Sequence, residues 1–353
     1  MSGGIDSTVA AMLLLKKGYE IIGITYRTYD SVSKGCMEKE KGCCTVDSIF
    51  EAKRMAKQLG FEHHIIDLRQ DFKEGVISNF IQEYLQGRTP NPCVMCNSTI
   101  KWGKLIEIAD QFGCDYIATG HYARIAYNGE RYFLQQGRDQ DKDQTYFLWK
   151  LSQENLARTL FPLGDLTKTE VRKIALDEGF EKLSKKKESQ EICFIPDNDY
   201  RHFLFEHVDN YSNLYGPGYF IDSKGNRLGK HQGYPNYTIG QRKGLGIALG
   251  QPMYVTRILP DENVVVLGTK EELKSKTLIA SEINSTKYKI IPQGLSVSVK
   301  VRYRSKGVKA YLYSENNQIR VVFNQDVDSI TPGQSVVFYE GEDLIGGGII
   351  HRN

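Results

Sequence analysis

The string SGGIDST, Ser2 to Thr8, stands directly before an apolar run in helical spacing, and its reading decides the fold. Two adjacent glycines let the backbone approach a ligand closely and take up conformations closed to other residues. Ser7 and Thr8 add hydroxyl donors, and the N–H groups of a helix start favour an anion. No lysine follows the glycines, so this is not a Walker-type phosphate loop. An ordinary turn capped by Asp6 or Ser7 competes with the phosphate-loop reading.

Working outward, the first 150 residues alternate helix and strand patterns. Thr8–Lys17 reads as a short amphipathic helix and EIIGITY, Glu20–Tyr26, as a strand. Val46–Leu59 is helical, His63–Leu68 a strand, Leu105–Phe112 helical and Cys114–Thr119 a strand. Such alternation predicts a parallel sheet covered by helices. After about Phe194 glycine and proline cluster, and short strand patterns follow at 253–258, 263–267, 295–303, 308–313, 318–323 and 335–339. These predict barrel or sandwich architecture. The expected division is an α/β domain at 1–195, a small mostly-β domain at 196–268 and a β-barrel at 269–353.

The 353 residues carry a net charge of +3, which neither requires nor excludes nucleic acid. Its distribution says more. Lys287, Lys289, Lys300, Arg302, Arg304, Lys306 and Lys309 fall between 285 and 310 without one acid. That stretch suits a phosphate backbone or a solvated β-surface. No apolar run approaches the roughly 20 residues that cross a bilayer, and Met1–Gly4 lacks the pattern of a signal peptide, so a cytoplasmic protein without membrane contact is expected.

All seven cysteines (Cys36, Cys43, Cys44, Cys93, Cys96, Cys114, Cys193) lie in the first 193 residues. An odd count argues against a disulfide framework. The CxxC of Cys93 and Cys96, in the proline-rich loop TPNPCVMCN, admits a redox pair, metal ligands or a catalytic thiol. No second CxxC completes a four-cysteine zinc site. Cys193 has apolar flanks, as a buried strand cysteine would. Cys114 reads as core, and Cys36, Cys43 and Cys44 as spectators.

SGGIDS resembles the SGGxDS loop of the pyrophosphate-loop ATPases. GRTPNPCVMCN (87–97), ATGHYAR (118–124), DKDQTYFL (141–148), ESQEICFI (188–195), GKHQGYPNYTIGQRKGLGI (229–247) and TPGQSVVFY (331–339) follow in the order seen in the tRNA-specific 2-thiouridylase family. The resemblance runs nearly end to end. It implies an adenine nucleotide alpha hydrolase-like domain, with the strand that normally feeds the loop missing from the start of this sequence. Ser2, Gly3, Gly4, Ile5, Asp6 and Ser7 would bind ATP with Mg²⁺, and Tyr26 and Gly120 would line its pocket. Cys96 matches the nucleophile and Cys193 the persulfide carrier. Asn91, Pro92 and Cys93 would lie beside the target base, while Lys142, Asp143, Gln144, His121, Arg302, Tyr303 and Gln334 match tRNA contacts. Implied partners are tRNAs for Lys, Glu and Gln and a sulfur donor of a cysteine-desulfurase relay.

Many family members carry Asp where this chain has Cys93. Cys93, Cys96 and Cys193 therefore also admit an iron–sulfur cluster. The expected reaction is adenylation of the uracil C2 oxygen followed by persulfide sulfur transfer. An amidating ligase of the same superfamily would need no cysteine pair, and an inactive RNA-binding module would need no adenylation.

Overall fold

The computed structural model describes residues 1–29, 46–186, 192–195, 197–248 and 250–351. Cys36, Cys43, Cys44 and the stretch 188–191 of ESQEICFI lie outside the described residues. The chain forms two compact units, one of residues 1–77, 92–198 and 342–345, the other of 78–91, 199–341 and 346–353.

In the first unit, helix α1 (Ile5–Lys16) buries Ile5, Thr8, Val9, Ala10, Ala11, Met12 and Leu14. Those positions span most of its circumference, so it is a core helix rather than the amphipathic one expected from composition. Met55 of α2 (Val46–Leu59) packs against it, as do Val171 and Ala175 of the helix Lys168–Asp177. Strand β1 (Ile22–Arg27) pairs parallel with β2 (Glu62–Asp67) in one register throughout. The expected strand at 114–119 shrinks to β3 (Ile117–Ala118). An antiparallel hairpin, β4 (Ala123–Tyr127) and β5 (Tyr132–Gln136), interrupts the α/β alternation. Its turn is Asn128-Gly129, with Gly129 at φ +93° and the Asn128 carboxamide oxygen accepting from two following N–H groups. An Asn-Gly between apolar runs is a strong hairpin signal, so this hairpin was readable in advance. Strand β6 (Thr159–Leu160) pairs parallel with β3.

The second unit holds two β structures. β7 (Gly218–Ile221), β8 (Arg227–His231), β9 (Tyr254–Leu259) and β10 (Val264–Gly268) form a sheet in the order β8-β7-β10-β9. It is filled by Phe220, Tyr234, Tyr237, Val255, Ile258 and Val265. Next come β11 (Lys274–Ser285), β12 (Leu295–Lys300), β13 (Val308–Glu315), β14 (Gln318–Asp328), β15 (Ser335–Glu340) and β16 (Asp343–Ile350). They run β11-β14-β13-β12-β15-β16, and β16 pairs back onto β11 through Ala280↔Ile350 and Ser285↔Gly346, closing a six-stranded barrel. Closure removes exposed strand edges. β16 was not expected, because Gly346–Gly348 weaken its strand pattern. Its glycines answer to space: a Cβ on Gly346 would stand 2.4 Å from the Asn284 carbonyl oxygen.

Residues 78–91 belong to this second unit. In the helix Ser78–Leu85, Phe80 meets Phe203 edge-on at 5.9 Å and Tyr84 stacks on Tyr200 at 4.3 Å. The Tyr234 hydroxyl donates to the Leu85 carbonyl.

His231 gives the second unit a pH dependence. Its side chain is buried, its Nδ1 accepts from the Gly233 N–H at 3.0 Å, and Phe220 lies edge-on at 5.2 Å. Burial pushes its pKa down to about 4, with the Asn263 backbone only partly opposing. The unfolded chain, with histidine near 6.5, then binds the extra proton first. Stability is therefore full above pH 6.5 and falls as the pH drops toward 4. Thermal unfolding across that window should show a declining melting temperature, with a shallower decline in His231→Asn.

Candidate active site

The loop Ser2–Ser7 is held from several sides. Met1 pairs with β1: its nitrogen meets the Ile24 carbonyl, and its own carbonyl accepts from the Thr25 hydroxyl at 2.7 Å. Gly3 sits at φ +62°, and a Cβ there would stand 2.5 Å from the Ser48 carbonyl oxygen, so this turn requires glycine. Gly4 is the N-cap of α1 and no side chain caps the helix. The capped-turn reading therefore fails, because Asp6 and Ser7 are turned elsewhere. Ser7 Oγ lies 3.3 Å from Ser2 Oγ and donates to the Gly4 carbonyl. The first N–H groups of a twelve-residue helix are left without a side-chain acceptor, an arrangement that suits phosphate oxygens.

Asp6 points to partners far away in sequence. Its carboxylate takes Lys168 Nζ at 2.8 and 2.9 Å and the Tyr122 hydroxyl at 2.9 Å. Lys168 is 8% exposed, an uncommon state for a lysine, and its ammonium lies 5.7 Å from the Tyr122 ring centroid. Lys186 Nζ reaches the Gly3 carbonyl at 3.3 Å and the Glu51 carboxylate at 2.5 Å. The positive charge absent from the loop's own sequence thus arrives from later elements. Sequence reading missed Tyr122, Lys168 and Lys186: the Thr167–Glu170 capping box marks a helix start at Lys168, but nothing local ties that residue to Asp6. Gly120 closes the cradle, since a Cβ would come 2.6 Å from the Asp6 carbonyl carbon and 2.8 Å from the Ser7 nitrogen.

Tyr26 is the residue after Thr25 on β1. Burial, and then the charge of Cys96, push its phenol up. One strand therefore touches the start of the loop through Thr25 and the Cys96 thiolate through Tyr26. Cys96 opens a wide π-type turn, Cys96–Lys104, after the short helix Pro92–Met95. Such turns recur at functional sites. The Thr99 hydroxyl donates to the Met95 carbonyl at 2.8 Å and the Asn97 amide to the Phe147 carbonyl at 2.9 Å, which fixes the turn. Cys93 is exposed, whereas Cys96, Cys114 and Cys193 are half-buried. Cys193 lies in a turn rather than the expected strand, with Phe194 packed edge-on against Phe72 at 5.7 Å and Tyr29 at 6.3 Å.

Among the described residues no three of His, Cys, Asp and Glu come together to hold a metal ion. Cys93, Cys96 and Cys193 therefore supply no cluster ligand set in this arrangement.

The residues expected to meet tRNA take up varied settings. His121 is buried against Trp102 and Phe161, with Nδ1 2.8 Å from the Thr119 hydroxyl, and burial holds its pKa well below the usual histidine range. The Asp143 carboxylate is buried, receiving the Thr145 hydroxyl at 2.9 Å and the Gly137 N–H at 3.2 Å. The Gln144 side-chain oxygen accepts from the Tyr122 N–H at 3.0 Å. Asp143 and Gln144 thus shape the loop on which Lys142 stands, and Gln144 braces the tyrosine that holds Asp6. In the second unit, Arg302 is exposed and donates to the Asp328 carbonyl at 2.9 Å, and Tyr303 is half-buried beside it. Gln334 donates to the carbonyls of Thr89 and Pro90, just before Asn91. Two open cavities of this unit, about 360 Å³ beside Arg242–Met253 and about 440 Å³ beside Arg201 and Tyr215, contain none of the expected site residues. No helix among the described residues is long and apolar enough to cross a membrane.

Comparison with known proteins agrees with this arrangement. The family described as "tRNA methyl transferase HUP domain" matches residues 1–197. The "tRNA methyl transferase PRC-barrel domain" matches 201–269, and the "Aminomethyltransferase beta-barrel domain" matches 275–350. The tRNA-specific 2-thiouridylase MnmA of Amoebophilus asiaticus is 53% identical over 352 residues, covering 99% of this chain and 93% of its own. Its namesake from Cytophaga hutchinsonii is 48% identical, covering 99% and 95%, and that of Salinibacter ruber 48%, covering 100% and 93%. An end-to-end likeness of this strength, over a chain with a glycine-built anion loop and a thiol on the same strand, places the protein in the tRNA-specific 2-thiouridylase family.

Proposed function

We propose that this enzyme, a tRNA-uridine 2-sulfurtransferase, converts the wobble uridine of tRNA to 2-thiouridine by adenylation and persulfide transfer. The observation that carries the mechanism is the adjacency on β1: Thr25 holds the start of the phosphate loop and Tyr26 feels Cys96. The thiolase names of the full-length relatives favour sulfur over the methyl chemistry in the domain descriptions, and the uncapped anion loop suits ATP.

The C2 oxygen of uracil is a poor leaving group. ATP supplies the activation: AMP passes to that oxygen and pyrophosphate departs. Gly3, Gly4 and the N–H groups of α1 would cradle the phosphates, with Ser2 and Ser7 hydroxyls beside them and Lys186 at the rim. Magnesium would travel with the triphosphate, which needs few protein ligands. Cys96 would attack the inner sulfur of a persulfide on Cys193. This forms a Cys96–Cys193 disulfide and releases the outer sulfur, which attacks C2 and expels AMP. Closing the disulfide requires the two Cα atoms within about 7 Å at that moment. A cellular thiol then reduces it, which suits the cytoplasm.

Asn91, Pro92 and Cys93 would flank a base turned out of the anticodon loop, where leaving the stack costs little. Arg302, Arg304 and Lys306 would meet phosphates. The substrates would be the tRNAs for Lys, Glu and Gln, and the sulfur would come from a cysteine-desulfurase relay.

With purified protein, tRNA, ATP and a persulfide source, AMP, pyrophosphate and 2-thiouridine should form in equal amounts. Thiouridine formed without ATP, or none formed with it, would overturn this function.

A further inference from the structure

Gln334 stands at the mouth of the barrel, immediately before β15. Its Nε2 donates to two successive carbonyls, Thr89 at 3.0 Å and Pro90 at 2.8 Å. Both amide protons are therefore committed to the chain, and only Oε1 remains as an acceptor. The main chain repeats the link, because the Thr89 N–H donates to the Pro332 carbonyl at 2.9 Å. The clamp is itself fixed in the barrel wall: Gly333 N–H donates to the Ile350 carbonyl at 2.9 Å, and Ile350 N–H to the Gln334 carbonyl at 2.8 Å. Gly333, at φ +88°, has no room for a Cβ, which would stand 2.9 Å from the Thr89 carbonyl oxygen and 2.9 Å from a Glu83 carboxylate oxygen. Pro90 is buried, and Pro90 and Pro92 fix φ on either side of Asn91. A displacement at Thr89–Pro90 is therefore passed with little slack to Cys93 and the turn that opens at Cys96.

We propose that Gln334 is a positioning residue for sulfur transfer. It registers the Thr89–Pro90–Asn91 segment, from which the chain runs directly into Pro92–Cys96, to the barrel that carries the basic strip Lys300–Lys309. Gln334 acts by holding the protein's own backbone, not by donating hydrogen bonds to nucleic acid. This inference rests on the thiolation reading above.

The test is Gln334→Glu, which keeps the size but turns an oxygen toward two carbonyls, alongside Gln334→Ala, which removes the donors without adding charge. Three quantities are compared with the wild type: the single-turnover rate of 2-thiouridine formation, tRNA affinity by filter binding, and melting temperature. The expected result is a rate lowered about tenfold or more in both variants, with tRNA affinity within about twofold and an unchanged melting temperature. Should Gln334→Glu fail to fold, Gln334→Ala carries the same expectation. Unchanged rates would overturn the proposal. So would a loss of tRNA affinity in step with the rate, which would make Gln334 a contact to tRNA. A wild-type protein that forms no thiouridine would sink the functional reading instead.

Discussion

Cys96→Ser is expected to lower 2-thiouridine formation on the order of 1,000-fold or more, about 4 kcal/mol of transition-state stabilisation. A serine hydroxyl is essentially un-ionised at neutral pH and cannot displace sulfur from a persulfide. Cys193→Ser should be as damaging, because it removes the atom that carries the sulfur. The double variant should be no worse than either single one, since the two thiols act in one exchange. ATP-dependent release of pyrophosphate should persist in all three, because the loop Gly3–Ser7 and its partners contain neither thiol. Mass spectrometry of digested tRNA reads the first quantity and a pyrophosphate assay the second. Turnover above a tenth of wild type in either single variant would remove the cysteine pair from the mechanism.

Lys168→Met should be the next most severe change. The lysine is nearly buried, and it satisfies both oxygens of Asp6 inside the phosphate loop. Removing one partner of a buried pair strands the other charge, at about 3–5 kcal/mol when both are dry. The Asp6 side chain is a third exposed, so about 2–3 kcal/mol of stability is the better expectation. Tyr122 remains on the carboxylate and should keep the fold intact. The displaced Asp6 would disturb the helix start that awaits phosphate, and the KM for ATP should rise about 100-fold, equivalent to about 2.7 kcal/mol. Lys168→Arg should recover part of the stability but less of the ATP affinity, since a guanidinium needs more room. An unchanged KM for ATP in Lys168→Met would detach this lysine from the nucleotide.

Much of this architecture was legible from residue order. The glycine pair at 3–4 announced the loop, and period-two runs announced most barrel strands. What escaped did so for identifiable reasons. The Asn128-Gly129 hairpin carried a clear turn signal inside a region read as α/β alternation. Gly346–Gly348 disguised β16, because glycines required by the close approach of β11 lower strand propensity. In the site, the loop residues were readable because they are contiguous. Lys168, Lys186 and Tyr122 were not, because their relation to Asp6 and Gly3 exists only after folding. His121 and Asp143 show the converse: both stood out by motif, yet each side chain is buried and satisfied by its own neighbours.

The helix Ser78–Leu85 and the strand of chain through Asn91 sit early in the sequence but bury Phe80 and Tyr84 against residues beyond position 199. The catalytic half is therefore not a cassette that recombination could lift out and join to a different RNA-gripping module. Any exchange of the downstream half must bring with it a matching set of aromatic seats, so the two halves of the gene are expected to have been inherited together.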